Sequence, residues 1–498
     1  MTELGETASL SQTLQARLRA AVLAPVQAMR LRYLPLLMVY FAYGAMGLVA
    51  VADSFWVKKA LTLSAADLAQ LGVWLTLPWT VKMVFGELVD TVAILGSRRR
   101  IYVFGGAALI AASLLILSGT ASGAITFASP DKLYIAASLM SVTGVVLQDV
   151  VADAMSTEVV ERTNPDGSPR PRAEIDHDLG MVQVLGRLAL SLGIFSTAGL
   201  SGILAQTLPY ATVFLIGLVV PAISVTGALI VRLETSESRP TDWRILGGGL
   251  AFGLAVVSMS LLDVPYAQEI VFVLSLGVIV AMLERVTRDI DAETRLRILY
   301  AALVIFAFRA VPGVGEGFRW FEIDVLGFDE AFFGTLAQIG AGIGLVATWL
   351  LSDSITRQPV ARVLLWLTLL GGLLSIPSLA LVFRLDLWTA GAFGLDARGI
   401  ALVDAAAASP LAQLSMIPLL MLTAIYAPPR HRAIWFALMA SFMNLALVAG
   451  QLQTKYLNQL FTVARGAYDE LAMLLIVVVA IGLGVPLTAI VLLGRRVR

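Results

Sequence analysis

The chain has 498 residues, of which 58% are hydrophobic and 14% are charged, and its mean hydropathy is +0.85. Soluble proteins carry about a quarter charged residues, so this composition predicts an all-α polytopic membrane protein. A formal net charge of zero disfavours nucleic acid as a partner, and the absence of cysteine with only two histidines, His177 and His431, predicts no metal, cofactor or redox chemistry.

Long apolar runs occupy most of the chain. A helix that crosses a bilayer needs about 17 to 25 apolar residues, and fourteen segments of this kind are predicted. The first six lie near 33–53, 67–91, 101–120, 132–160, 179–207 and 210–232. The other eight lie near 244–262, 267–284, 296–314, 331–352, 362–384, 400–427, 433–458 and 468–494. The glycines at 247–249 open a membrane helix and do not follow a strand, so they are no phosphate loop, and neither an enzyme nor an ATP-driven pump is expected.

Lysine and arginine are concentrated on one side of these segments. If the N-terminus is cytoplasmic, 24 of the 35 basic residues fall in inside segments, 8 fall outside and 3 lie in the membrane. Because cytoplasmic loops hold the excess of basic residues, both termini are predicted to be cytoplasmic in the cytoplasmic (inner) membrane. Residues 1–32 are predicted to form a cytoplasmic tail with a short amphipathic helix on the inner leaflet, not a secretory signal.

Ionisable residues are rare within the apolar segments. An intramembrane charge persists mainly where it faces a bundle interior or a water-filled path. Lys82, Asp153 and Arg187 each lie nine residues from the inner end of their segment, which is about 13 Å in a helix, and Asp149 lies one turn deeper than Asp153. These four residues are predicted to form one charge cluster. The cluster either couples transport to protons or only neutralises itself within the bundle.

Candidate substrate contacts lie in both halves. Arg309 has no opposite charge nearby in its apolar run, so it is predicted to meet an anionic substrate, with a partner on another helix as the alternative. The glycine-rich stretch 313–321 is expected to interrupt its helix, an arrangement at which carriers bind substrate. Aromatic and amide side chains near these positions serve either substrate binding or helix packing. The predicted substrate contacts are Arg309, Glu316, Phe318, Arg319, Tyr43, Trp79, Gln148, Gln183 and Asn444.

Two helix ends repeat one pattern. Asp90 ends an apolar segment and is followed by arginines at 98–100, and Asp353 ends a later segment and is followed by Arg357 and Arg362. The shift between them, 353 − 90 = 263, maps the first six segments onto the last six, which is a topological repeat of the kind found in transporters. The predicted domains are a tail at 1–32, a six-helix bundle at 33–233, a linker with two extra helices at 234–295 and a six-helix bundle at 296–498.

The ending Gly-x-x-x-Asp before a basic loop resembles the inner-loop motif of the major facilitator superfamily. The resemblance implies a major-facilitator-type fold, with two six-helix bundles plus an inserted two-helix hairpin. It also implies that these carboxylates latch the cytoplasmic side. The residues predicted for gating are Asp90, Arg98, Arg99, Glu158 and Asp353.

Longer motifs resemble a narrower family. Leu-Pro-Trp-Thr-Val-Lys at 77–82, Asp-Val-Val-Ala-Asp-Ala at 149–154 and Phe-Ala-Leu at 436–438 are similar to core helices of the folate-biopterin transporter family. The chain departs from that family at Met83, where proline is usual, and at 431–434, where an acidic residue with threonine is usual.

The family resemblance implies a secondary active transporter of folate or related pterins. It implies alternating access and coupling to protons, in a monomer whose partners are the small-molecule substrate, protons and the lipid bilayer. Two alternatives remain at this stage: a carrier of another organic anion or muropeptide-like solute on the same fold, and a non-transporting membrane assembly factor. The intramembrane charges favour a carrier, because a scaffold has no need of them.

Overall fold

The computed structural model describes residues 29–164, 166–230, 241–262, 264–288, 290–356, 358–426 and 432–496. Helices dominate this part of the chain, and the β pairing within it is limited to isolated bridges in three loops. Most of the predicted tail 1–32, with its amphipathic helix, and His431 lie outside the described residues.

The helices follow one another with short connections. Those of the N-terminal bundle are α1 (Leu31–Ala60), α2 (Ala65–Thr80), α3 (Lys82–Thr91), α4 (Arg100–Ala121), α5 (Pro130–Glu158), α6 (Arg172–Thr207) and α7 (Tyr210–Ile230). The hairpin consists of α8 (Trp243–Leu261) and α9 (Ala267–Val286). Those of the C-terminal bundle are α10 (Ala292–Arg309), α11 (Glu316–Asp324), α12 (Glu330–Thr356), α13 (Val360–Val382), α14 (Asp386–Phe393), α15 (Ala397–Leu414), α16 (Met416–Ile425), α17 (Arg432–Leu460) and α18 (Leu471–Arg496).

The length and composition of the helices fit a membrane. Within the described ranges, nine helices are long and apolar enough to cross a bilayer, or ten if α2 and α3 are taken as one bent span. Each of the fourteen predicted apolar segments corresponds to a helix or to consecutive helices. The prediction of an all-α polytopic membrane fold is therefore confirmed.

The two bundles meet mainly along two helix pairs, α2 with α17 and α6 with α12. Glycines allow the second pair to approach closely. A Cβ atom on Gly202 would lie 2.4 Å from the backbone oxygen of Glu330 and 2.7 Å from the Cα of Gly334. The contact between α6 and α12 therefore has no room for a larger side chain at this level.

The predicted segment 67–91 is not one continuous helix. Its two parts, α2 and α3, meet at Val81, which has φ −101° and ψ 18°, and their axes differ by 40°. Pro78 has no amide hydrogen, and the hydroxyl of Thr80 donates to a carbonyl three residues earlier at 2.7 Å, so the helical hydrogen-bond ladder is weakened here. The break places Lys82 in the first turn of α3.

The glycine-rich stretch interrupts its helix as predicted, but the helix ends earlier than expected. The predicted end near 314 is wrong, because α10 ends at Arg309 and residues 310–315 are non-helical. Pro312 disfavours helical geometry in the residue before it. Gly315 then adopts φ +82°, a left-handed conformation that favours glycine, immediately before α11.

The hairpin contacts both bundles. Helix α9 packs against α17 and touches α2, while α8 packs against α3. The ammonium of Lys455 donates to Gln268 Oε1 at 3.1 Å and to Glu269 Oε1 at 2.8 Å. Gln268 in turn donates to the backbone oxygen of Gln70 at 3.2 Å. Polar contacts at one end of α9 thus join the hairpin to α17 and α2.

The close approach of α6 and α12 can be tested by measuring the stability of a variant with a larger side chain at the contact. We expect Gly202→Val to lower the free energy of unfolding by about 1–3 kcal/mol, because the new side chain overpacks the contact with Glu330 and Gly334. The matched control is Gly253→Ala on α8, where no atom lies within 4 Å of the added Cβ. The measurement is thermal unfolding in detergent, and equal midpoints for the two variants would contradict the packing argument.

Candidate functional site

A cavity of about 280 Å³ lies within the N-terminal bundle, between α1, the α2–α3 pair, α5 and α6. Lys82, Asp149, Asp153 and Arg187 all line it, so the structure brings the predicted charge cluster together from three separate stretches of sequence. Its volume is near the lower end of the range for small-molecule pockets. We term it the charged cavity.

Lys82 bridges the two carboxylates of this cavity. Its ammonium lies 2.5 Å from Asp149 Oδ2 and 2.6 Å from Asp153 Oδ2. Because the first turn of a helix presents partial positive charge, a lysine there depends on nearby carboxylates. The side chain of Asp149 is 10% exposed and that of Asp153 is 51% exposed. Asp153 is therefore the carboxylate that a proton or a ligand in the cavity reaches more readily.

Arg187 faces the same cavity from α6. Across the ranges that the structure describes, its guanidinium makes no ion pair or hydrogen bond. Lys82 already spans both aspartates, so Arg187 retains its hydrogen-bond donors for another partner. Gly186 beside it allows α6 to approach α1, since a Cβ there would lie 2.9 Å from the ring of Tyr40.

Aromatic side chains form one wall of the charged cavity. The rings of Tyr43 and Trp79 are stacked, with centroids 5.9 Å apart and planes at 25°. The hydroxyl of Tyr40 donates to Asp153 Oδ1 at 2.8 Å. Gln183 also lines the cavity and donates to Ser156 Oγ at 2.9 Å. The wall thus offers a flat apolar surface next to hydrogen-bonding groups, an arrangement that suits a heteroaromatic ring.

A second charged cluster lies where α3 and α5 end, at the end of the bundle that carries the arginine-rich loops, here termed the basic end. Arg99 is almost fully buried and lies 2.9 Å from Asp90 Oδ1 and 2.5 Å from Glu158 Oε1. It also donates to the backbone oxygen of Val89 at 2.9 Å. Three of the predicted gating residues therefore form one network within the N-terminal bundle.

The other two predicted gating residues are Arg98 and Asp353. Arg98 precedes Arg99 in the same loop. Asp353 belongs to α12, and its side chain lies outside the part of the chain that the structure describes.

Polar contacts between the bundles close the opposite end of the molecule. Lys58 lies 2.5 Å from Asp324 Oδ1, and the hydroxyl of Tyr468 donates to the same carboxylate. Arg465 donates to the backbone oxygens of Lys58 and Leu63 at 2.8 Å and 2.9 Å. Burial, together with the hydrogen bond to Asp324, raises the pKa of Tyr468 to about 12. We term this group the opposite-end seal.

Three predicted substrate contacts do not reach the charged cavity. Gln148 is buried between helices and donates to a backbone oxygen of α4 and to Ser224, because it lies on the other face of α5. Phe318 stacks on Phe321 with centroids 6.3 Å apart. Arg319 lies over a phenylalanine ring of α12 at 4.2 Å. The earlier end of α10 shifts these α11 side chains towards the opposite-end seal.

Two other predicted contacts, Arg309 and Asn444, lie outside the lining of the charged cavity. Arg309 donates to the backbone oxygen of Met443 at 3.3 Å and contacts the sulfur of Met416 at 2.8 Å, and it is not part of the charged cavity. Asn444 of α17 donates to the backbone oxygen of Trp79 at 3.0 Å, at the break between α2 and α3. Asn444 thereby links the C-terminal bundle to the aromatic wall.

A second cavity combines one predicted substrate contact with residues that were not predicted from the sequence. Glu316 lines a cavity of about 320 Å³ between the bundles, together with Asp53 and Tyr134. The hydroxyl of Tyr134 donates to Asp53 Oδ2 at 3.1 Å. Asp53 lies within a predicted apolar segment, as the other intramembrane charges do. This position is the sequence feature by which it could have been predicted as a site residue.

A helical fold of two bundles with a charged, aromatic-walled cavity, and with a polar seal between the bundles at one end, is the arrangement of a membrane transporter of the major facilitator type. The chain belongs to the BT1 family, whose family model matches residues 44–498. The prediction of the folate-biopterin transporter family is confirmed by this match and by the curated relatives.

Two relatives illustrate the family. The chain is 28% identical over 454 residues to the "Folate-biopterin transporter" of Synechocystis sp., covering 89% of this chain and 78% of the relative. It is 22% identical over 467 residues to "Probable folate-biopterin transporter 4" of Arabidopsis thaliana, covering 88% and 90% of the two chains.

Solved structures support the fold. A POT family transporter in complex with 5-aminolevulinic acid superposes with a TM-score of 0.64 at 16% identity, covering 94% of this chain and 96% of the other. The nucleoside transporter NupG superposes with a TM-score of 0.60 at 10% identity, covering 93% and 99%. These similarities place the chain among major-facilitator-type folds.

The network around Arg99 predicts two different defects. Arg99→Gln leaves the largely buried Glu158 without its cation, which is expected to cost about 3–5 kcal/mol and to reduce the amount of folded protein. Asp90 is 37% exposed, so Asp90→Asn is expected to fold and to slow turnover more than it weakens substrate binding, because it shifts conformational populations. Expression, binding and transport are compared with Arg162→Gln, a change in an exposed loop. Normal folding of Arg99→Gln would exclude the structural role.

Proposed function

We propose that this protein is a secondary active transporter that moves folate or a related pterin across the membrane by alternating access, coupled to protons. The proposed arrangement is a monomer in the cytoplasmic membrane with the basic end facing the cytoplasm. The names of the curated relatives support the substrate class, and the excess of basic residues at one end supports the orientation.

The observation that carries this proposal is the charged cavity. An amphiphilic heterocycle needs a flat apolar surface, hydrogen-bonding groups and a compensating charge. Tyr43 and Trp79 supply the surface, and Gln183 supplies an amide. The ion pairs of Lys82 with Asp149 and Asp153 compensate the buried charges of the lining when no ligand is bound.

Arg187 is the proposed anchor for a substrate carboxylate. It lines the cavity and makes no polar contact with the residues that the structure describes, whereas Lys82 is held by two carboxylates. A guanidinium binds a carboxylate through two parallel hydrogen bonds. Arg187 replaces Arg309 in this role, because Arg309 contacts Met443 and Met416 and does not line this cavity.

Charge balance provides the physical basis for proton coupling. The lining carries two cations, Lys82 and Arg187, and two carboxylates, Asp149 and Asp153, so its formal charge is zero. A bound carboxylate adds one negative charge in a medium that penalises net charge. Protonation of one aspartate offsets one such charge. Asp153 is the proposed proton carrier because it is the more exposed of the two.

The opposite-end seal is the proposed gate of the alternate state. Alternating access requires one set of contacts between the bundles to break while another forms. Lys58, Asp324 and Arg465 join the two bundles through an ion pair and hydrogen bonds, and water can replace these polar partners when the gate opens.

Uptake of labelled folate into vesicles, with and without an inward pH gradient, tests the function and its coupling. We expect wild-type protein to accumulate folate only with the gradient. Asp153→Asn is expected to abolish accumulation while exchange of internal for external folate persists, because exchange requires no net protonation cycle. Restored gradient-driven uptake in Asp153→Asn with Lys82→Met would refute coupling at Asp153 and leave the ion pairs structural.

The proposed role of Arg187 predicts that the protein binds a charged substrate more tightly than an uncharged one. We expect Arg187→Gln to weaken folate binding roughly tenfold or more, as loss of charge-assisted hydrogen bonds does, and to affect an uncharged pterin little. Arg187→Lys is expected to recover part of the difference, because lysine keeps the charge but not the bidentate geometry. Arg309→Gln is the matched comparison. Equal losses for both ligands, or a larger selective loss in Arg309→Gln, would remove Arg187 from this role.

A further inference from the structure

A cleft of about 610 Å³ lies beside the bundles and is larger than the charged cavity. Its walls are α2 and α5 of the N-terminal bundle, the hairpin, and Lys455 of α17. The hairpin is fixed to α17 through Lys455, and it contacts the N-terminal bundle where α8 packs against α3 and where Gln268 donates to Gln70. The cleft is the gap that remains between the hairpin and the α2 and α5 helices.

On two walls of this cleft, the lining residues are polar at the start of the helix and apolar further along it. On α2, the lining passes from Asp67 to Trp74, and on α5 it passes from Lys132 to Leu139. Each pair is separated by seven residues, or about 10 Å of helix. Both helices start at the opposite end of the molecule, so the polar residues lie near the membrane surface and the apolar residues lie deeper. This gradient matches an amphiphile with a polar head and a hydrocarbon chain.

The rim of the cleft carries both signs of charge. Within the described ranges, the ammonium of Lys132 makes no ion pair or hydrogen bond, and its side chain is exposed. Asp67 is exposed and uses Oδ2 to accept from Ser64, while its Oδ1 accepts no hydrogen bond among the described residues. The rim thus has one free cationic donor and one unused carboxylate oxygen.

We propose that the cleft binds one phospholipid with a phosphoethanolamine headgroup. Its phosphate pairs with Lys132, its primary ammonium donates to Asp67, and one acyl chain lies along Trp74 and Leu139. A choline headgroup has no N–H to donate to the carboxylate, and a glycerol headgroup has no cation, so the pair of rim charges selects ethanolamine. An acyl chain also fills apolar space that water would occupy poorly.

The bound lipid adds to the attachments of the hairpin. Lys455 holds α9 on the C-terminal bundle, and α8 packs against α3 of the N-terminal bundle. The lipid fills the remaining gap beside α2 and α5 and so adds a fluid contact to these direct ones. This role does not depend on the substrate of the transporter.

The test measures lipid retained by purified full-length protein. Protein is incorporated into nanodiscs containing equal amounts of phosphatidylethanolamine, phosphatidylcholine and phosphatidylglycerol, re-extracted in mild detergent, and analysed for bound lipid by native mass spectrometry. We expect about one phosphatidylethanolamine per wild-type chain, and a loss of roughly tenfold in Lys132→Gln, which removes a charge-assisted contact at an exposed position. Leu139→Trp, which fills the apolar part, is expected to expel the lipid while the rim remains intact.

Lys59→Gln is the matched control, because Lys59 is an exposed lysine outside the cleft. Unchanged retention in Lys132→Gln and Leu139→Trp would overturn the site. Retention of all three lipids in equal amounts would overturn the headgroup assignment. Thermal unfolding midpoints of all variants are measured in parallel, so that a loss of lipid with an unchanged midpoint is assigned to the cleft.

Discussion

The sharing of one lysine between two carboxylates is the constraint on which the charged cavity depends. An isolated charge in a low-dielectric interior is costly, and a single ammonium placed within 2.6 Å of Asp149 and Asp153 keeps both aspartates in the bundle. The break between α2 and α3 places Lys82 where it reaches both. Because Lys82 is occupied, Arg187 remains without a polar contact among the described residues, and the cavity has a donor group to offer.

The remaining polar contacts differ in kind at the two ends of the molecule. At the basic end, Arg99 joins Asp90 and Glu158 within one bundle and is itself buried, which makes it part of the stability of that bundle. At the opposite end, Lys58 and Asp324 join different bundles and are more exposed than Arg99 and Glu158. Ion pairs that water reaches contribute little net free energy, so contacts of this second kind suit a junction that forms and breaks.

Spacing along the sequence located the charge cluster, because distance from a segment end converts directly into depth in a helix. Spacing did not identify which face of a helix meets the cavity. Gln148 and Asp149 are adjacent in sequence, yet Gln148 packs against α4 and Asp149 lines the cavity. The aromatic residues of α11 were displaced from the predicted site for a related reason, since the true end of α10 at Arg309 moves the following helix.

Composition and apolar segment length by themselves determined that the chain is an all-helical membrane protein, because backbone hydrogen bonds within a bilayer must be satisfied inside each segment. The sequence also determined the family, through motifs that extend over both halves, and the set of intramembrane charges. Only the tertiary structure decided how these charges pair, that Arg187 stays free among the described residues, and that a cleft lies beside the hairpin. These features depend on helix rotation and on packing between segments far apart in the chain, which no local pattern encodes.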